Sequence, residues 1–457
     1  MNDKDVIIGQ LMTEIQQLRN ENKALREEID RLKKNSGNSS KPPSSDIVKP
    51  PKPKGRGKKK RQRGGQKGHK KFERPAFTPE QIDQTIEYEL RDKDVEGLES
   101  LDEWFIIQQV ELPEKMYHVT EHRARKYLDP LTGQIHIAPI PDAIRKGGLL
   151  GGRFTSMVAF MKSGCHGSYG TIQKFCQEIY GLDLSRGMLN KAVQKVSEAL
   201  KEPYEQLVDQ LPHESYLGVD ETGHKDDGKL HWSWCFQNSQ YCVFHINLSR
   251  GSQVLKAVLG ETFAGTLGSD YYSAYRKYMK DCSVLIQYCM AHLIREICFL
   301  AEHSDAVLSR WGKKMLGWMK KLFETLHKKV DYTAKGFKRR MESIKQGFLK
   351  QVRRPPDHKL ARKLKKRFKG KNADNYFVFL TDPNVEPTNN STEQAIRYLV
   401  IDRYVTQGTR GQNGMRWCER AWTVVATCKR QGRNVFDFIH KAIIAHWTNQ
   451  LCPTLLC

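Results

Sequence analysis

Near the start of the chain, apolar residues fall at alternating steps of three and four: Ile8, Leu11, Ile15, Leu18, Leu25, Ile29 and Leu32, with Asn22 in the one seam place held by a polar residue. This is the repeat of helices wound around one another. Isoleucine at one core position and leucine at the other favours parallel pairs, and a lone seam asparagine fixes their register. Glu14, Glu21 and Glu28 each precede a base by five residues, Arg19, Arg26 and Lys33, so every acid can meet a base on a partner helix. The pattern predicts a coiled-coil dimerisation helix over residues 1–34, joining two or more copies through Leu11, Ile15, Leu18, Asn22, Leu25, Ile29 and Leu32. The competing reading is an amphipathic helix laid on its own protein.

The periodicity stops at Asn35-Ser-Gly-Asn-Ser-Ser-Lys-Pro-Pro-Ser-Ser45, which has nothing to bury, so residues 35–74 form a linker. Its second half is basic, with Lys58, Lys59, Lys60, Arg61 and Arg63 among glycines. Such a stretch follows a phosphate backbone without reading its sequence; the alternative is a solvated tail. Strand-like alternation follows at 85–89, 104–108 and 117–120, and the runs 123–127 and 134–137 flank a turn at Asp129-Pro-Leu-Thr-Gly133. A small β-rich module over 75–145 is expected.

From 146 to 210 the pattern is helical. Thr171–Ile179 and Met188–Val196 carry apolar residues at helical spacing on either side of Gly181-Leu-Asp-Leu-Ser185. This suits a DNA-reading helix-turn-helix, with Ser185 and Arg186 at the contact position, and equally an ordinary helical hairpin. Next come a strand carrying Asp220, a hairpin at Leu230–Phe236 and Tyr241–Ile246, a helix at 253–259, a short strand ending at Asp270, a helix at 271–278 and a strand at 284–288. That order predicts a ribonuclease-H-like sheet with acids on adjacent strands. The core is expected over 211–300 and 376–457, interrupted at 301–375 by a basic helical insertion whose cationic face either holds a duplex or is merely solvated. The fold class is thus multidomain α+β: coiled coil, β-rich module, helical domain, and an α/β catalytic core with its insertion.

Composition sharpens this picture. The chain has 457 residues, enough for several domains, and a formal charge of +24 with a sequence pI near 9.5, which favours a polyanionic partner. Nucleic acid comes first and an anionic membrane surface second. No apolar run suits a bilayer span and the charged start is not a signal peptide, so no membrane partner is expected and the protein should stay in the cytoplasm, associated with the nucleoid. The 11 cysteines are scattered without a Cys-x-x-Cys, so reduced, buried thiols are expected.

Asp220, Asp270 and Glu393, the last near the start of a helix, are acids delivered by separate elements. Carboxylates suit Mg²⁺, a hard cation that keeps waters and phosphate oxygens in its shell, with Mn²⁺ as a substitute. Glu221 is left out, because alternation sends it to the opposite face. Asp374 and Asp382 compete for the third place but lack the following helix. Supporting candidates are Cys289 and His292, just after the strand at 284–288, with His292 either buried structurally or assisting DNA placement and proton transfer. Asn390 and Arg397 flank Glu393; Arg397 is either a helical ion-pair partner or a phosphate contact.

On these residues the chain resembles the insertion-sequence-sixty-six family of bacterial transposases, of the DDE class. The likeness is carried by the zipper and its Ser-Pro linker, Val219-Asp-Glu-Thr222, Ser269-Asp-Tyr-Tyr-Ser-Ala-Tyr275, Cys289-Met-Ala-His292, Asn389-Asn-Ser-Thr-Glu-Gln-Ala-Ile-Arg397 and Thr427-Cys-Lys-Arg-Gln-Gly-Arg-Asn434. It implies a ribonuclease-H-like core with Asp220, Asp270 and Glu393 as metal-binding acids, cutting transposon ends and transferring strands into target DNA, with accessory proteins of the same element as further partners. The chain departs from the family in having no Cys over 75–140, where Leu128 and Leu131 stand in place of a cysteine pair, so zinc is not expected. Thr388 and Gln394 also replace the acidic and basic residues common beside the third acid. Two other functions stay open: an inactive or repurposed DNA-binding protein, and a structure-selective nuclease of the same fold.

Overall fold

The computed structural model describes residues 3–35, 75–89 and 104–456. The linker bases Lys58, Lys59, Lys60, Arg61 and Arg63 lie outside the described residues. The chain divides into two compact units, Met1–Pro50 with His122–Cys457, and Pro51–Glu121.

In the smaller unit the described residues contain one short 3-10 turn, Pro79–Gln81, and no strand. The expected strands at 85–89, 104–108 and 117–120 do not form. Alternation produces a strand only where a neighbour takes the backbone hydrogen bonds and one face is buried. Here Ile86, Phe105, Ile106 and Val119 are all exposed. In the larger unit the turn at 129–133 does close a hairpin, β1 (Lys126–Leu128) with β2 (Ile135–Ile137), where Asp129 caps the turn by accepting from the Leu131 and Thr132 amides.

The larger unit begins with helix α1 (Asp3–Leu32). Its seam residues Leu11, Ile15, Leu18, Leu25, Ile29 and Leu32 are 47% to 62% exposed. Asn22 donates to the Leu18 carbonyl at 3.0 Å. The helix touches the rest of the unit with another face: Asp30 is buried beside His303 Nε2 at 3.4 Å and bonds Ser304, while Lys34 lies over the Phe299 ring.

A helical layer follows: α2 (Asp142–Gly147), α3 (Gly152–Ser163), α4 (Tyr169–Tyr180), α5 (Arg186–Ala199) and α6 (Lys201–Gln210). Ser185 caps α5 by accepting from the Met188 amide, and Gly181 ends α4 in the left-handed region, so the helix, turn and helix sit where the spacing predicts them.

The central sheet contains β3 (Tyr216–Asp226), β4 (Lys229–Gln237), β5 (Cys242–Asn247), β6 (Thr266–Ser269) and β7 (Leu285–Tyr288), in the order β5-β4-β3-β6-β7. The first three are antiparallel; β6 and β7 are parallel to β3. Asp227 and Gly228, both at positive φ, form the two-residue turn between β3 and β4. Helix α8 (Ser273–Cys282) covers the face of Trp234, whose ring meets Tyr275, and α7 (Ser252–Leu259) packs on α8. On the other face lie α13 (Asn390–Thr406) and α14 (Gln412–Arg430), the latter with Trp422 against Phe244.

Between β7 and α13 run α9 (Met290–Ala301), α10 (Ala306–His327), α11 (Ala334–Arg353) and α12 (Lys359–Arg367), sharing a core that includes Trp311, Met315, Met319, Met341 and Phe348. The last helix, α15 (Val435–Thr448), packs on α2, α3 and α5, so the sequence after α14 returns to the helical layer rather than to the sheet.

Candidate active site

Parallel pairing of β3 with β6 runs Tyr216 with Thr266, Leu217 with Leu267 and Gly218 with Gly268. Two residues further along each strand stand Asp220 and Asp270, so the register sets them level. The sequence puts Asp220 at a strand end, but β3 continues to Asp226 against β4; what ends at Gly218 is the pairing with β6. The strands part there, and Asp270 lies just past the end of β6, with the Tyr272 amide donating to its Oδ1 at 2.8 Å.

Glu393 comes in on the first turn of α13. This helix start is bound to β3 by Asn389, whose Nδ2 donates to the Val219 carbonyl at 2.9 Å. Gln237 of β4 donates to Ser391 at 2.8 Å and Thr392 at 2.9 Å, and Thr392 bonds Asn389 Oδ1 at 2.5 Å. The approach is so close that a Cβ on Gly218 would collide with Thr392 Oγ1 and press on Asn389. Asp374 and Asp382 are engaged elsewhere: Asp374 pairs with Lys345, and Asp382 caps a turn at Asn384.

Electrostatics tie the acids together. Burial pushes the Asp220 carboxyl well above the usual carboxylate range, and the neighbouring charges of Glu221, Asp270 and Glu393 add to the effect. Burial raises Asp270 too, against the Tyr272 amide and the cations Arg250 and Arg367. Glu221 does turn away from Asp220, to the face of α8, where it accepts from the Tyr275 hydroxyl and from Arg250 Nε at 2.7 Å. It is not inert: burial and Asp270 raise it to about 7. Arg250 in turn lies over the rings of Trp232 and Tyr272. Like charges gathered in a half-buried place repel one another with little screening, and a divalent cation is the group that best relieves the repulsion. The oxygen-only donors Asp220 and Asp270 suit a hard cation, whereas Glu393 turns its Oε1 to Arg295 and His292.

A third side of the site is the start of α9. The Cys289 amide donates to the Ser269 carbonyl at 2.7 Å, so the end of β7 adjoins Asp270, and the Met290 amide donates to the Pro387 carbonyl at 2.9 Å. Cys289 Sγ is buried and accepts the Asn389 amide at 3.1 Å. His292 Nδ1 lies 3.6 Å from Glu393 Oε1, and burial pushes the imidazole down to about 3, so it is neutral. Arg295 NH2 is 2.9 Å from the same oxygen. The ion-pair partner of Glu393 is thus Arg295 rather than Arg397, which is exposed. Asn390 is exposed and lines, with Arg295, Thr388 and Glu393, a cavity of about 420 Å³. Arg367 of α12 pairs with Glu296 and stacks on Tyr271, so the basic insertion reaches the neighbour of Asp270.

Sequence reasoning passed over Arg295, Gly218, Gln237, Arg250 and Arg367. Only Arg295 left a local signal: Cys289, His292 and Arg295 are spaced by threes, which puts them on one side of a helix. The others are brought in by strand register and helix docking. Ser185 and Arg186 are exposed on the helical layer and are not among the groups around the acids.

Residues 147–416 match the family described as Transposase IS66 family, and residues 2–75 a family of unknown function (DUF6444). No curated protein matches the chain. Among the described residues, no helix is long and apolar enough to cross a membrane. The first match spans more than half of the chain and contains Asp220, Asp270, Glu393 and every side chain described around them, so the chain belongs to the IS66 family of transposases.

Proposed function

We propose that the protein is a DDE-type transposase with a ribonuclease-H-like core, which hydrolyses a phosphodiester at the ends of its own element and joins the freed 3′-hydroxyl to target DNA. The observation that carries the reading is the register that sets Asp220 and Asp270 level beside the first turn of α13. Asp220, Asp270 and Glu393 would hold Mg²⁺, with Mn²⁺ as a substitute. A divalent cation held there supplies charge stabilisation for the attacking and leaving oxygens of an in-line displacement.

The protein's own groups do the positioning. Asn389, Thr392 and Gln237 keep the start of α13 against β3, so that Glu393 is set by rigid elements rather than by a loop. Arg295 orients the Glu393 carboxylate. Lys359, Lys363, Lys365 and Lys366 form an exposed cationic side of α12, whose last residue, Arg367, reaches the site; together with Ser185 and Arg186 at the start of α5 and the basic linker they are the DNA contacts of this reading. Pairing through the α1 seam would bring two DNA ends together.

The experiment uses DNA ending in the terminal inverted repeats that flank the coding region. Full-length protein with Mg²⁺ is expected to nick at the 3′ end and to join that end to a second duplex. Binding without cleavage in Mg²⁺ or Mn²⁺ would make it a DNA-binding protein that retains the fold. Cutting of branched DNA without joining would make it a structure-selective nuclease.

A further inference from the structure

Cys289, His292 and Glu393 present a donor set unlike the carboxylates beside it. One ligand atom from each, a sulfur, an imidazole nitrogen and a carboxylate oxygen, lies within 4.8 Å of the others. We propose that these three residues form a site for a thiophilic divalent cation such as Zn²⁺, and that its occupancy withdraws Glu393 from Asp220 and Asp270.

Each donor is already turned inward. His292 Nδ1 is buried with no hydrogen-bond partner, although it stands 3.6 Å from Glu393 Oε1. Unpaired buried nitrogens are uncommon, and a metal bond would satisfy this one. The Cys289 thiol is free, and the Asn389 amide at 3.1 Å orients its sulfur, as outer partners orient ligands in metal sites. Tetrahedral zinc with bonds of about 2.0–2.3 Å sets its donors roughly 3.3–3.8 Å apart, so only a small closure is needed. Of the three donors, Glu393 also lines the cavity shared with Arg295 and Asn390.

Thiolate and imidazole select Zn²⁺ over Mg²⁺, so the two ions do not compete on equal terms here. On binding, the Cys289 thiol releases its proton to solvent. Arg295 holds the same Glu393 oxygen at 2.9 Å and must give it up; its guanidinium is 25% exposed and has room to swing away. The missing cysteines of 75–140 concern a different module and leave this site intact. Binding of the cation stands on geometry alone, whereas its inhibitory consequence rests on the transposase reading.

The test titrates full-length, reduced, metal-free protein with Co²⁺, whose bond to thiolate gives a near-ultraviolet absorption that carboxylate coordination lacks. The band is expected to saturate at one equivalent, to vanish in Cys289→Ser, to need at least about tenfold more Co²⁺ in His292→Ala, and to be displaced by Zn²⁺. X-ray absorption at the zinc edge of the unmodified protein covers the case of a variant that misfolds, with one sulfur expected among nitrogen and oxygen neighbours. No band, a band surviving Cys289→Ser, or a zinc shell without sulfur overturns the proposal. The same site predicts that one equivalent of Zn²⁺ lowers Mg²⁺-dependent cleavage by roughly tenfold or more. A cobalt band without any cleavage by the unmodified protein would sink the transposase reading and leave this one standing; cleavage without a band would do the reverse.

Discussion

Setting the half-buried Asp220 and Asp270 level on neighbouring strands raises the free energy of both charged forms, and the buried Glu221 shares the effect. A carboxyl whose folded value is raised holds a proton that the unfolded chain has already released. The charged cluster therefore lowers stability progressively as pH rises, for Glu221 from its ordinary 4.5 up to about 7. A cation binds the deprotonated acids, so Mg²⁺ should raise Tm little at about pH 5 and clearly at about pH 8. Calorimetry with and without Mg²⁺ reads this, and an equal rise at both pH values would mean that the cation binds elsewhere. Gly218 matters at the same scale, because α13 rests directly on it. Gly218→Ala should destabilise the protein by about 1–3 kcal/mol in urea denaturation and lower cleavage with it; unchanged stability and rate would show that the helix does not seat so closely.

At the scale of elements, β5 is the edge of the sheet, yet its outward amides are satisfied. Cys242, Phe244 and Ile246 donate to Thr427, Thr423 and Glu419, which recur every four residues along α14. Thr423→Val keeps the shape and removes the acceptor of a buried amide, which should cost about 1–3 kcal/mol of stability in thermal or urea unfolding. A neutral result would mean that water reaches this edge. The strands and helices of the sheet region were legible because their apolar patterning is strong and Gly, Ser or Asp marks many of their bounds. Asp270 and Glu393 were legible as acids at element ends, whereas Asp220 was legible on its strand but not in its place, since β3 runs on to Asp226. The pairing of Glu393 with Arg295 was not, since nothing local to Glu393 distinguishes Arg295 from Arg397. The runs at 85–89 and 104–108 show the opposite case, where local alternation was strong and no partner strand supplied a buried face. The clamp of Gln237 on Ser391 and Thr392 joins residues far apart in the chain, and only the topology makes them neighbours.

For the whole molecule, Asp30 of α1 and Lys34 just past its end touch the rest of the larger unit and leave the apolar seam open. A helix packed only for its own protein would bury that seam. If the proposed pairing through this seam holds, the unmodified protein sediments as a dimer, and substituting Leu18 and Leu25 together with glutamate should make it a monomer while leaving the unfolding of the sheet unit unchanged. A variant that remains dimeric would place the interface elsewhere. In the proposed reaction Asp220, level with Asp270, carries the chemistry. This role is tested most directly by comparing unmodified protein and Asp220→Asn for Mg²⁺-dependent 3′-end nicking of terminal DNA, with DNA binding measured in parallel. Asp220→Asn should keep DNA binding and lose nicking by at least about a hundredfold. Nicking that survives the substitution would contradict that role.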